Sequence, residues 1–245
     1  GLAVVRDGSR IYVTTAQDML WEANVTPDGK IDWGRKLTVP GPAGTGKADL
    51  GGLALSADEK TAYVCLSRNN SLGMIDLASG KLLKEVPVGV APYDVALFAD
   101  GKKAFVSNWG GRHPRAGEKT AKSSGTDTLV DERGVAASGT VSVVDLEQGS
   151  EVAQIVTGLH PSDLELSADQ RTLYVANANS DTVSVIDTRT QNVVETIPVR
   201  PDPTLAFGSA PNALSLSQDG RPLFVANGGN NAVAVVSLAQ SPGVQ

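Results

Sequence analysis

The sequence predicts an all-β fold, a β-propeller built from five repeats of one four-stranded antiparallel blade. An aromatic residue inside a short apolar run recurs five times, at Tyr12, Tyr63, Phe105, Tyr174 and Phe224. An aspartate stands five positions before each aromatic, at Asp7, Asp58, Asp100, Asp169 and Asp219. A proline stands thirteen positions before the last three aromatics, at Pro92, Pro161 and Pro211. Landmarks held in register over five units indicate a repeat architecture.

Each unit divides into four short strands separated by turn residues. In the fourth unit the strands are residues 163–167, 172–176, 182–186 and 193–197. A lone sheet of this kind leaves its apolar faces exposed, whereas sheets packed radially around an axis bury them against one another. A β-solenoid is the rival architecture. Its coils are shorter, and three of the landmark aspartates form Asp-Gly pairs, which favour antiparallel hairpins.

The repeats define a single, incomplete propeller domain over residues 1–245, with units at about 1–40, 50–89, 90–159, 160–199 and 208–240. The first unit lacks residues equivalent to 90–92, and the last shows no clear fourth strand. We therefore expect that the chain does not close a ring by itself. A further domain or a second chain is expected to complete the propeller, because an open strand edge invites pairing.

Composition excludes several classes of function. The chain carries a formal net charge of −6, which disfavours a nucleic-acid partner because phosphate binding needs clustered Lys and Arg. No run of about 18 apolar residues exists, so no membrane span is expected. Cys65 is the single cysteine, which excludes an internal disulfide. It occupies a small-residue position of a strand, where we expect it to be packed.

The variation between units collects at one end of the strands. The main insertions are residues 40–49, 109–137 and 200–209, and we expect them at one mouth of the central channel. Eight residues there are the candidate contacts for a ligand or partner: Asn108, Trp109, Arg112, His113, His160, Asp163, Asn177 and Asn227. The longest insertion is expected to contact another domain or chain, with a mobile loop as the alternative.

Each of these candidates also has a structural interpretation. Asparagines that end strands commonly fasten the following turn. Asp94 and Asp163 open inner strands, where they are placed to bond backbone groups of neighbouring blades. The two histidines match no zinc-binding spacing, and the Arg112 segment has the mixed charge of a solvated loop. Trp109 is the strongest candidate for a contact, because tryptophan is enriched at binding hot spots.

No complete catalytic or cofactor motif is present. Residues 41–47 have the glycine and lysine spacing of a P-loop, but Ala48 stands where that motif needs a hydroxyl. An inner strand, rather than a helix, is predicted to follow, so we interpret this stretch as a connection between blades. A redox subunit is a further possibility, but no Cys-x-x-Cys-His motif supports bound haem. We expect no cofactor and no metal.

Residues 173–177 (Leu-Tyr-Val-Ala-Asn) and 182–187 (Thr-Val-Ser-Val-Ile-Asp) resemble the YVTN β-propeller repeat of YncE-like and surface-layer-type proteins. The resemblance implies a seven-bladed ring, of which five units are visible, and a periplasmic or extracellular location. Residues 106–112 and 138–143 are similar to bacterial proteins that join a YncE-like propeller to a C-terminal alkaline-phosphatase-like phosphoesterase domain. None of the catalytic residues of such a domain has a counterpart here.

Two functions therefore remain open. The first is a non-catalytic binding or scaffold module that uses the loop-rich channel-mouth face. The second is the propeller portion of a hydrolase, either a phosphoesterase fusion or a lactonase-like enzyme with a metal in the channel. For the chain alone we expect no hydrolase activity, because no catalytic constellation is complete.

Overall fold

The computed structural model describes residues 1–15, 18–123, 125–202 and 204–238. Their strands form antiparallel sheets that follow one another along the chain. Blade one contains β1 (Leu2–Val4), β2 (Arg10–Thr15), β3 (Met19–Val25) and β4 (Ile31–Thr38). Blade two contains β5 (Leu50–Leu55), β6 (Thr61–Leu66), β7 (Ser71–Asp76) and β8 (Leu82–Pro87).

Blade three is interrupted by the longest insertion. It begins with β9 (Val90–Leu97) and β10 (Lys103–Gly111), continues through a separate hairpin of β11 (Thr120–Ser123) and β12 (Thr126–Leu129), and ends with β13 (Thr140–Asp145) and β14 (Ser150–Val156). Blade four contains β15 (Pro161–Leu166), β16 (Thr172–Asn177), β17 (Thr182–Asp187) and β18 (Asn192–Pro198). Blade five contains β19 (Pro211–Leu216), β20 (Pro222–Asn227) and β21 (Ala232–Ser237).

The landmark aspartate of each unit shapes the turn between its first and second strands. In blade four, the Ser167 hydroxyl and the Arg171 N–H both donate to Asp169 Oδ1, at 2.7 and 3.0 Å. The residue after each landmark aspartate has a left-handed backbone, with φ between 56° and 72°. Glycine adopts this conformation without a Cβ clash, which explains why three of the five aspartates precede glycine.

The side chains of the second strand point alternately to its two faces, and in blades two, three and four both faces are buried. In β16, Leu173 and Val175 pack against blade three, whereas Tyr174 and Ala176 pack against blade five. Four apolar clusters result, each lying between consecutive blades. This is the face-to-face packing that the apolar strand pattern predicts.

The predicted register of the blades is confirmed. The first strands β5, β9, β15 and β19 contact one another in sequence, so the first strand of each unit lies innermost. All extensive contacts between blades of the described residues join consecutive blades, and none joins the first blade to the fifth. The expected absence of a fourth strand in the last unit concerns residues 239–245, which lie outside the described residues.

The prediction for Cys65 is confirmed. Cys65 is fully buried in β6 and packs between blades two and three, where burial raises the pKa of its thiol. Within the described part of the chain, no helix is long and apolar enough to cross a membrane.

Candidate functional site

A cavity of about 560 Å³ lies at the channel mouth, between blades two and three and the inserted hairpin β11–β12. Its floor includes Gly51 at the start of β5 and Tyr93 near the start of β9. Its roof includes Thr126 and Thr128 of the hairpin. The insertion leaves from the end of β10, as the strand order requires, and it forms a wall of the cavity rather than a detached loop.

Local contacts explain why the insertion folds back over the blades. Arg112 forms two parallel hydrogen bonds with Glu118, at 2.7 and 2.6 Å. These bonds lower the pKa of Glu118 to about 2, so this carboxylate stays charged. A ring nitrogen of His113 lies 2.9 Å from the Val88 carbonyl oxygen. Arg112 and His113 therefore anchor the insertion and lie outside the cavity wall.

Asn70 ties the hairpin to blade two. Its side-chain amide donates to the hydroxyl of Thr126 at 3.3 Å and accepts from the backbone N–H of Ala91 at 3.0 Å. Asn70 itself has a left-handed backbone, with φ of 53°. The roof, blade two and the start of β9 thus meet at one side chain, which fixes the hairpin over the cavity.

An aromatic cluster forms one wall of the cavity. The ring of Trp109 lies edge-on between Tyr93 and His160, with centroid distances of 5.4 and 5.1 Å. Trp109 is 43% exposed, so a ligand can reach it. Burial lowers the pKa of His160, which favours the neutral imidazole near pH 7. The structure therefore brings together Trp109 and His160 from the predicted set and adds Tyr93.

A pair of carboxyl groups lies nearer the channel axis, outside the cavity wall. Asp94 accepts from the backbone N–H of Leu164 at 3.2 Å, and Asp163 accepts from the backbone N–H of Leu214. Each carboxyl thus bonds the next blade, as predicted. The Asp94 carboxyl also hydrogen-bonds to Asp163, and burial followed by the charge of Asp163 raises the pKa of Asp94 to about 7.

The three strand-end asparagines are buried within the blades. The amide of Asn177 donates to the hydroxyls of Thr182 and Ser184, at 3.1 and 2.9 Å, which fastens the turn between β16 and β17. Asn108 makes the equivalent bonds in blade three, and Asn227 donates to the Val199 carbonyl. These contacts fit the structural interpretation, and none of the three side chains lines the cavity.

The P-loop-like stretch connects β4 to β5 and contains one turn of 3₁₀-helix, Pro42–Gly44. The backbone N–H groups of Ala48 and Asp49 both donate to Asp18 Oδ1, at 2.8 and 2.7 Å. Because a phosphate would need such N–H groups, their use by Asp18 argues against a phosphate site. Among the residues that the structure describes, no three His, Cys, Asp or Glu side chains are arranged to hold a metal ion.

Sequence reasoning did not name three cavity residues that bear on binding, which are Arg68, Thr128 and Tyr93. Arg68 follows the end of β6, and Thr128 belongs to a hairpin that no repeat landmark marks. The turn position of Arg68 carries Asn179 in blade four and Gly229 in blade five, and Thr128 has no equivalent in the other units, so the repeat offered no signal for either residue. Tyr93 could have been predicted to lie near the channel mouth, because it stands between the landmark proline of its unit and Asp94.

Part of the chain matches a known family of β-propellers. The family model described as YNCE-like β-propeller matches residues 133–212, from the end of the insertion to the start of blade five. This match confirms the resemblance over that stretch, and the described residues have the fold of a β-propeller. A search of curated proteins finds no match.

Solved structures confirm the fold. A chain of Kuenenia stuttgartiensis hydrazine synthase superposes with a TM-score of 0.66 at 19% identity, over 91% of this chain. The chain spans about half the length of that relative, 54%. Altogether 1294 chains of solved structures match, so the likeness describes a common fold and assigns no function.

Proposed function

We propose that this chain is a non-catalytic binding module whose channel-mouth cavity takes a small organic ligand. The observation that carries the proposal is the cavity of about 560 Å³ beneath the hairpin β11–β12, with the Tyr93–Trp109–His160 cluster in its wall. Sites for small molecules are concave, mostly apolar and roughly 300–1,000 Å³ in volume. The cavity fits that description.

The polar groups near the cavity support binding rather than catalysis. Asp94 and Asp163 are occupied by backbone N–H groups of the neighbouring blades. His160, the histidine on the cavity wall, stacks against Trp109. Catalysis by acid–base or nucleophilic groups needs side chains that converge on one reacting atom. Most of the surface that lines this cavity is apolar, and among the described residues Asp49 is the single carboxylate in its lining.

Two further parts of the proposal rest on the sequence resemblance. We place the module in the periplasm or outside the cell, and we expect a further domain or chain to complete the propeller. If that domain is a phosphoesterase, the chain is the propeller portion of a hydrolase, and the cavity face is where the two meet.

Replacing Trp109 with alanine is expected to weaken ligand binding. The probes are 2-naphthylacetate and its neutral analogue 2-naphthylacetamide, whose two rings suit an aromatic wall. Loss of a stacked aromatic contact is worth about 0.5–1.5 kcal/mol beyond the lost area, so we expect at least about a tenfold rise in Kd for both probes. Isothermal titration calorimetry measures it.

The matched control is Trp33→Ala. Trp33 is also exposed and also stacks edge-on against an aromatic ring, Trp21, but it lies on β4 of blade one. Its loss is expected to leave both Kd values unchanged. Saturable binding that the two substitutions weaken equally, or no saturable binding of either probe, would contradict the proposal.

A further inference from the structure

We infer that the ligand of this cavity is an organic carboxylate, bound with its apolar body on the aromatic cluster and its carboxylate between Arg68 and Thr128. The inference rests on the proposed function and deepens it. Two buried polar atoms without partners carry it, one on blade two and one on the roof.

Arg68 supplies the first of these atoms. Its backbone N–H is anchored by the Ala48 carbonyl at 2.9 Å, so the residue is held at the cavity rim. Its Nε is buried and has no hydrogen-bond partner among the described residues. The Asp49 carboxylate is 3.9 Å from Nε, too far for a hydrogen bond. A buried donor left unpaired destabilises the protein, and a ligand acceptor would remove that cost.

Thr128 supplies the second atom. It lies on β12 in the roof, is 7% exposed, and its hydroxyl is buried without a partner. A hydroxyl can donate to a carboxylate oxygen while the guanidinium donates to the other oxygen. The contacts of Asn70 hold the roof over blade two, so Thr128 and Arg68 line the same cavity.

The Arg68 guanidinium is the group that favours an anion in the cavity. The lining carries two cations, Arg68 and Lys122, and one carboxylate, Asp49, while His160 is neutral near pH 7. Lys122 is already paired with Asp127 at 3.0 Å. The Arg68 guanidinium is therefore the cation with spare donors, and a planar guanidinium matches the two oxygens of a carboxylate.

The carboxyl pair fixes the orientation of the ligand. Tyr93 belongs to the aromatic wall. Burial raises the pKa of its phenol, and the nearby charges of Asp163 and Asp94 raise it further. The aromatic wall thus borders the negative side of the channel. The carboxylate of a ligand is repelled by Asp94 and Asp163 and attracted to Arg68. The apolar body of the ligand then packs against the Trp109 ring.

The test compares 2-naphthylacetate with 2-naphthylacetamide, which have nearly the same shape and differ in charge. The intact chain is expected to bind the carboxylate about tenfold tighter than the amide, since charge-assisted hydrogen bonds are about twice as strong as neutral ones. Arg68→Met should abolish that preference by weakening carboxylate binding about tenfold and leaving amide binding unchanged. Thr128→Val should weaken carboxylate binding alone by a smaller factor.

Arg171→Met is the matched control, because Arg171 is exposed in a turn of blade four. It should change neither Kd, and circular dichroism should show that all three variants fold. Equal affinity of the intact chain for both probes, with Trp109→Ala still weakening them, would overturn the carboxylate inference and leave the binding module standing. A carboxylate preference that survives Arg68→Met would overturn the role of Arg68.

Discussion

The Phe105→Ala substitution is expected to lower the free energy of unfolding by about 3–5 kcal/mol, the usual cost of removing a buried phenylalanine. Phe105 is 1% exposed and lies in the apolar cluster between blades three and four. Its ring packs against Phe98, with 5.4 Å between centroids. Alanine would leave a cavity at the centre of this interface, because neighbours on two rigid sheets close in only partly.

Phe224→Ala provides a control at the same repeat position. Phe224 is the landmark aromatic of blade five and is 39% exposed on β20. Its loss is expected to cost about 1–2 kcal/mol, less than the loss of Phe105, since only part of its apolar area is removed from water. Urea unfolding monitored by circular dichroism gives both values. A cost that is equal for the two variants would contradict the assignment of buried and exposed faces.

The Asp94→Asn substitution is expected to raise the free energy of unfolding at pH 8, by about 1–3 kcal/mol after allowance for solvent in the channel. Burial and the neighbouring Asp163 charge raise the pKa of Asp94 to about 7 from an ordinary value of 3.8. Above pH 7 the native state therefore holds two adjacent charged carboxylates. Asparagine removes one charge, keeps an oxygen for the Leu164 N–H, and can donate to Asp163.

The same shift fixes the pH dependence of stability. Between pH 4 and 7 the native state binds a proton at Asp94 that the unfolded chain has released. The contribution of Asp94 to stability is therefore full below pH 4 and falls as the pH rises to 7. Glu165 adds to this trend, because burial raises its pKa as well. Asp94→Asn is expected to remove the Asp94 part of the slope.

Asp219→Asn is the matched control for Asp94→Asn. The Ser217 hydroxyl lowers the pKa of Asp219, an exposed turn residue, so its neutralisation brings no stabilisation at pH 8. Chemical unfolding at pH 5 and pH 8 measures all three proteins. A less stable Asp94→Asn variant at pH 8 would show that the carboxyl pair is favourable as an ionised pair and would refute the account of it.

The fold was predictable because its signals are local. The landmark aspartate, the left-handed residue after it and the apolar second strand lie within a dozen positions of one another in every unit. Because these signals repeat, they predicted the blades and the innermost position of the first strands. The sequence also indicates that Asp94 and Asp163 lie close together. Both stand two positions after a landmark proline and so occupy equivalent places on neighbouring inner strands.

The cavity was only partly predictable. Trp109 and His160 could be placed on the channel-mouth face because they lie beside strand ends. The cavity itself exists because the hairpin returns over blade two, through a contact between Asn70 and Thr126 that spans 56 positions. No repeat spacing encodes that contact. Arg68 and Thr128 line the same cavity only because the hairpin packs over blade two.

The nuclear magnetic resonance of the indole N–H groups tests the central claim most directly. The chain has three tryptophans, of which Trp21 and Trp33 stack on each other in blade one and Trp109 lines the cavity. Titration with 2-naphthylacetate is predicted to shift the Trp109 resonance saturably and to leave those of Trp21 and Trp33 in place. A Trp109 resonance that does not move, or three resonances that drift together without saturating, would contradict a ligand site beneath the inserted hairpin.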